Sequence, residues 1–295
     1  MNFTTLFVVI MLEVALADVA HAHGIAGNRV FYPTLTIDDP AVADELSLPT
    51  LTTFHQNAAP DGSTQGFRLI DFGVEWDKRI TECLGFAVNW DYLIQDNDDG
   101  SSNKGLINLE LTLKYRLYVN DAHEFMASVG VTREFPSTGA KAVGASLNGS
   151  TTPKVYVGKG LGDLPIGFFR PLAVTGTYGY SFSDDRNVDP DQMNIGLSVQ
   201  YSLPYLQQHV VDIGLPRFFA RMTPLVEINM TKSPGQPTTG TIAPGILYTE
   251  KGWQFGIEAL LPINRATNTN IGIIAQIHYF LDDLFPRSLG RSLFP

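Results

Sequence analysis

The strongest constraint in this chain is an apolar–polar alternation of period two that runs further than a soluble strand usually does. From Gly105 to Tyr118 the odd positions Ile107, Leu109, Leu111, Leu113, Tyr115 and Leu117 are apolar, and the even positions Asn108, Glu110, Thr112, Lys114 and Arg116 are polar. A soluble strand averages about five or six residues, whereas a tilted membrane crossing takes about 9–11 plus margins. The pattern recurs. Ile70, Phe72, Val74 and Trp76 alternate with polar or small partners, as do Leu84, Phe86, Val88, Trp90 and Tyr92. Further runs are centred on Phe125–Val131, Leu172–Phe182, Met193–Tyr201, Trp253–Leu261 and Ile271–Tyr279. Weaker strands are expected at 48–55, 153–159, 222–231 and 239–249. The total is about twelve, and an even number is what bacterial single-chain barrels require. A helical period of comparable strength occurs only around Pro204 to Ala220, where a short amphipathic helix or lid is expected.

Composition narrows the choice between a soluble sandwich and a membrane barrel. Charged residues make up 17% of the 295 residues, against roughly 25% in soluble domains. A net charge of −10 leaves no basic face for nucleic acid. Cys83 stands alone, which removes any intramolecular disulfide or cysteine-based zinc site. Beyond the first dozen residues no apolar run reaches the roughly 18 residues of a spanning helix. Opposite each oily face lie Gly, Ser, Thr, Asn and Gln, small groups suited to a crowded or wet lumen. The expected fold is therefore all-β, an antiparallel transmembrane β-barrel of about twelve strands with an N-terminal lumen or strap segment.

At the N-terminus, Leu6 to Leu12 is a short apolar run, and Ala20-His21-Ala22 suits cleavage after Ala22. No Lys or Arg precedes the run, and Glu13 and Asp18 follow it, so an ordinary helix is the alternative. Export is preferred, because a segment without helical periodicity follows at once. The expected organisation is a signal peptide over 1–22, a periplasmic or plug segment over 23–47, a barrel over 48–280, and a periplasmic tail over 281–295. With the N-terminus in the periplasm, short turns at Asp77-Lys78-Arg79, Asn120 to His123 and Glu250-Lys251-Gly252 face inward. Longer loops at 94–104, 136–153, 183–190 and 264–269 then face outward, as in Gram-negative outer-membrane barrels. Pro204 to Ala220 is long yet falls on the periplasmic side. Aromatics agree with this placement. Trp76, Tyr115, Tyr201, Tyr248, Trp253 and Tyr279 fall at periplasmic strand ends on the apolar face, and Trp90, Tyr92, Tyr180 and Phe182 at outer ends. Such paired girdles mark the two lipid interfaces.

The chain resembles a bacterial outer-membrane channel family named for the meta pathway of phenol degradation. The resemblance rests on Ala22 to Pro49, above all Thr34-Leu-Thr-Ile-Asp-Asp-Pro-Ala-Val-Ala-Asp-Glu-Leu-Ser-Leu-Pro49. It rests also on Gly240 to Gly245, Gly256 to Asn264 and Tyr279 to Pro286. It implies an outer-membrane barrel that passes small organic or aromatic compounds. Many outer-membrane barrels end on an aromatic in the last strand. Here a tail follows Phe280, so assembly would read Phe280 internally or the tail would tuck into the periplasmic mouth.

By parity the inward charges are Asp71, Glu75, Asp91, Glu110, Lys114, Arg116, Glu227 and Glu258, with His278 nearby. The acid excess would favour cations in an open pore. Alternatively, Glu110 with Lys114, and Arg116 with neighbouring acids, form an ion-pair network that fills a narrow barrel. Twelve strands lie between packed eight-stranded barrels and wide porins, and a plug or network is preferred. The extended, acidic segment Gly24 to Leu46 would be that plug, or else a periplasmic strap.

No cofactor, metal site or catalytic role is expected. After cleavage, His23 would chelate copper only beside a second histidine, and nothing in the spacing brings His55, His123 or His278 there. Asp96 to Gly100 lacks the carboxylates a calcium loop needs at its first and twelfth positions, and reads as a solvated loop. A barrel lipid hydrolase would need a serine beside His278, and parity supplies none. Cys83 reads as a lumen-facing filler. The function expected is passage of small solutes across the outer membrane among its lipids. A non-conducting structural or ligand-binding barrel is the alternative.

Overall fold

The computed structural model describes residues 24–58 and 65–294. The expected signal peptide and His23 lie outside the described residues. A hairpin of β1 (Gly24–Ala26) and β2 (Arg29–Phe31) precedes the barrel. The barrel strands are β3 (Glu45–Gln56), β4 (Phe67–Arg79), β5 (Leu84–Asn97), β6 (Ser102–Leu106), β7 (Glu110–Asn120), β8 (Phe125–Glu134), β9 (Ser150–Gly160), β10 (Leu172–Ser183), β11 (Gln192–Tyr201), β12 (Met222–Lys232), β13 (Thr239–Thr249), β14 (Trp253–Pro262) and β15 (Gly272–Phe280). Each pairs antiparallel with its neighbours, and β15 closes on β3, with Ile273 opposite Thr53 and Phe280 opposite Glu45. Both β6 and β7 pair with β5. They are two halves of one stave, so the chain is a closed barrel of twelve strands. Closure leaves no sheet edge in lipid, where an unpaired backbone group costs several kcal/mol.

The alternation read from the sequence sorts the two faces. Leu111, Leu113, Tyr115, Leu117, Val155, Val157, Phe255 and Ile257 are exposed on the outer wall, while Lys114, Thr132, Thr175, Ser198, Gln254 and Gln276 are buried inside. Of the girdle residues, Trp90, Tyr115 and Trp253 are exposed, and Tyr92, Tyr201, Tyr248 and Tyr279 are half-buried. Trp76 meets Phe86 edge-on at 5.6 Å, and Tyr180 lies against Phe182 at 4.9 Å. Trp90 sits midway along β5, further from the loop end than expected.

Several local expectations are corrected. The strand drawn unbroken from Gly105 to Tyr118 is interrupted at 107–109. There Asn108 turns inward, and its Nδ2 donates to Glu134 Oε1 (2.8 Å) and to the Ser146 carbonyl (2.9 Å). Trp90 Nε1 donates to the Ile107 carbonyl at 3.1 Å, so a group freed from the ladder keeps a partner. A bulge after Arg116 then leaves both Leu117 and Tyr118 exposed. The turn placed at Asp77-Lys78-Arg79 lies instead at 80–83, because Lys78 and Arg79 stay in the strand, where both are buried against Asp44. The helix expected over Pro204 to Ala220 is a helical turn at Leu203–Tyr205 continued by a π turn at Leu206–Val210. The connection 161–171 is a second long segment on the short-turn side.

Candidate functional site

Residues 32–44 do not stop at the barrel mouth. They climb inside it and return, forming a strap across the lumen. Its apolar side chains have a prepared seat. Leu35 packs with Leu225, Leu247 and Ile274 on the inner wall. Phe31 and Ala41 pack with Met126 and Ala173. Lumen-facing glycines leave the room. A Cβ at Gly158 would fall 3.0 Å from both the Phe31 ring and Pro40, one at Gly196 would fall 3.1 Å from Ile37, and one at Gly256 would fall 2.4 Å from Leu35.

Polar anchors hold the rest. Gln254 Nε2 donates to the Pro33 carbonyl at 2.7 Å. Thr36 donates through both its N–H and its hydroxyl to Glu227 Oε2, each at 2.8 Å. Lys114 Nζ reaches Asp38 Oδ1 at 2.6 Å and the Asp39 carbonyl at 3.1 Å, and lies 4.7 Å from the centre of the Tyr156 ring. Ser128 donates to the Pro40 carbonyl. At the strap's end, Asp44 is fully buried and accepts from Lys78 Nζ and Arg79 Nε, both at 2.7 Å. At its start, Arg29 is stacked 3.9 Å from the centre of the Tyr205 ring. It is paired with Glu124 at 3.2 Å and bonded to the carbonyls of Arg170 and Pro171. Burial lowers the Arg29 pKa against the pull of Glu124. Burial, joined by the hydrogen bond to Glu124, pushes the Tyr205 hydroxyl up to about 12. The Asp39 carboxyl, on the strap, is pushed up to about 7 by burial, against the opposing pull of Lys114.

The tail closes the same end. Lys78 Nζ donates to the carbonyls of Leu289 (2.8 Å) and Arg291 (2.6 Å), Arg79 Nη2 donates to that of Gly290 (3.1 Å), and Phe280 is buried.

Two polar cavities flank the strap's tip. One of about 240 Å³ lies beside the strap, and its charged lining is Asp38, Asp39, Glu45, Glu75, Asp77 and Glu110 against Lys114, Lys154 and His278. The other, about 440 Å³, is walled mainly by hydroxyls and amides, among them Ser150, Thr152, Thr177, Gln192, Asn194 and Asn229. Thr36, Ile37, Asp38, Glu110 and Lys154 line both, so the strap's tip is the partition between them.

The inward charges expected from parity therefore separate into different surroundings. Glu75, Glu110, Lys114 and His278 line the smaller cavity. Asp71 and Asp91 are half-buried and line neither. Glu227 holds the strap, and Glu258 is buried beside it within reach of Glu227. The expected pairing of Glu110 with Lys114 gives way to Asp38 with Lys114, since the strap brings a carboxylate closer. Arg116 pairs with no acid among the described residues, and its Nη2 approaches Cys83 Sγ at 3.8 Å. A serine does stand beside His278, contrary to expectation. Ser47 Oγ is 2.9 Å from Nδ1, and Glu45 Oε2 is 3.3 Å from Nε2, in a buried column across the β15–β3 seam. Parity missed it because Ser47 precedes the weak strand as drawn, and the bulge that follows it shifts the register. Asp38, Asp44, Lys78, Arg79 and Lys154 were also missed. Their only sequence signal is charge in otherwise apolar or turn-like surroundings. Among the described residues, no three or more His, Cys, Asp or Glu side chains cluster as metal ligands.

No family model and no curated protein matches the chain. Among solved structures, an outer-membrane channel from Pseudomonas putida F1 is similar over 81% of this chain and 94% of its own, with a TM-score of 0.54 at 12% identity. The likeness is one of fold, a closed antiparallel β-barrel. The KdgM porin also matches, at 13% identity over 78% of this chain and 98% of its own, with a TM-score of 0.46.

Proposed function

We propose that the chain is an outer-membrane channel for small solutes, shut at its short-turn, periplasmic end by its own N-terminal strap. The observation that carries this reading is the polar vestibule of about 440 Å³ that runs down to the strap tip at Ile37 and Asp38. The family resemblance points to hydrophobic or aromatic solutes. The wall chemistry narrows them to those that also carry a hydroxyl group, such as simple phenols. Acids outnumber bases around the smaller cavity, which favours cations among ionic permeants.

Passage requires the strap to leave its seat. Leu35→Asp places a charge in the apolar nest of Leu225, Leu247 and Ile274, where an unpaired carboxylate is costly. In planar bilayers the native chain should conduct rarely and the variant often, and liposomes carrying the variant should admit phenols faster. Both proteins should keep heat-modifiable mobility on gels. Equal, negligible conductance from two folded proteins would instead make this a non-conducting barrel.

A further inference from the structure

The connection from 202 to 221 does not stay over the mouth of the barrel. Phe218 lies against the outer wall, its ring on Tyr248 with centroids 5.1 Å apart and planes 30° from parallel. Tyr248 in turn packs 5.8 Å from Trp253. A loop segment thus covers part of the lipid-facing wall. Here a loop aromatic raises one side of it, and a recess of about 820 Å³ opens among Phe218, Met222, Tyr248, Trp253, Phe255 and Tyr279. That size falls in the range of about 300–1,000 Å³ found for small-molecule clefts.

The rim above the recess is positive. Arg217, Arg221 and Lys251 line one cleft there with Glu250 and Asp283, three cations against two carboxylates. Glu250 accepts from the Tyr248 hydroxyl at 2.7 Å and is ion-paired with Arg221, so that pair is already satisfied. Arg217 and Lys251 are exposed and have no ion-pair partner among the described residues. The contacts Tyr248–Glu250 and Glu250–Arg221 join this cleft to the recess, with Arg217 directly before Phe218 and Lys251 two residues from Trp253 in the chain.

We propose that recess and rim together bind one anionic glycerophospholipid of the adjoining leaflet. An acyl chain fills the aromatic recess, and the phosphate sits against Arg217 and Lys251. Aromatic rings favour the boundary between tails and headgroups. A basic side chain at that depth attracts an anionic lipid, whereas a zwitterionic one gains only the recess. The site serves the outer surface of the barrel and is independent of whether the lumen conducts.

The test uses the full chain purified in detergent, incubated with phosphatidylglycerol or with phosphatidylcholine of identical tails, and read by native mass spectrometry. The native protein should retain one phosphatidylglycerol in preference to phosphatidylcholine. The R217S/K251S double variant changes only exposed side chains. It should lose phosphatidylglycerol retention by about thirtyfold and hold phosphatidylcholine as before. Phe218→Ala should weaken both lipids, with heat-modifiable mobility unchanged in either variant. Equal retention of the two lipids by the native protein, or unchanged phosphatidylglycerol retention in R217S/K251S, would overturn the proposal.

Discussion

Replacing Asp44 by Asn removes the carboxylate that ties the end of the strap to the barrel wall. Asp44 is fully buried and accepts from Lys78 Nζ (2.7 Å), Arg79 Nε (2.7 Å) and the Arg79 N–H (2.9 Å). An amide of the same shape keeps the packing but removes the counter-charge of buried Lys78 and leaves Arg79 only the more distant Glu82, at 3.4 Å. Breaking a buried pair on one side costs about 3–5 kcal/mol. The loss here belongs at the lower end, because the carbonyls of Leu289, Gly290 and Arg291 still accept from Lys78 and Arg79. About 3 kcal/mol corresponds to about 150-fold in the balance between seated and released strap. The assay is the frequency of conducting events in planar bilayers, with limited trypsin cleavage at Arg29 as a second measure of release. Asp184→Asn is the control, since its pair with Arg133 is largely exposed and such pairs contribute about 1 kcal/mol or less. Conductance and cleavage in Asp44→Asn that match Asp184→Asn would refute the claim that this buried pair holds the strap.

Other consequences follow from the same geometry. Gly158→Val drives a branched side chain toward the Phe31 ring and Pro40, each already 3.0 Å from where a Cβ would lie. It should unseat the strap while the barrel remains heat-resistant on gels, and unchanged trypsin protection of the strap would contradict this. Glu110 lines both cavities, whereas Glu258 lines neither. Reversal potentials in a strap-released background should therefore show reduced cation preference in Glu110→Gln and none of that change in Glu258→Gln. The Tyr205 hydroxyl is held up at about 12 by burial and by the Glu124 carboxylate, above the value of about 10 for an unfolded chain. The folded state then keeps that proton longer, so its stabilising contribution is complete below about pH 10 and is lost as pH rises toward 12. A difference titration at 295 nm between the native protein and Tyr205→Phe should place one tyrosine near pH 12, and a midpoint near 10 would disprove the linkage.

Much of the barrel was legible because lipid and lumen impose opposite demands on alternate residues. Leu111, Leu113 and Tyr115 could face only lipid once Thr112 and Lys114 were polar, so strand, face and approximate strand number followed from parity. Two of the strands read weakly for a physical reason. On β12 and β13 the inward Leu225 and Leu247 are apolar because Leu35 covers them, which blurs the alternation. A lumen filled by the chain itself looks, in sequence, like a strand buried on both faces.

Charges were harder to place than strands. Parity put Glu110, Lys114, Glu227 and Glu258 inside, but it could not say which would meet. Partners such as Asp38 for Lys114 and Thr36 for Glu227 come from a segment 76 and 191 residues away in the chain. A closed, lipid-facing β-barrel could be read from the residues alone, because period-two alternation is a local property of each strand. That the lumen is strapped, which ion pairs form within it, and that Phe218 folds outward against the wall emerged with the folded chain. These depend on long-range contacts, and no local periodicity encodes them.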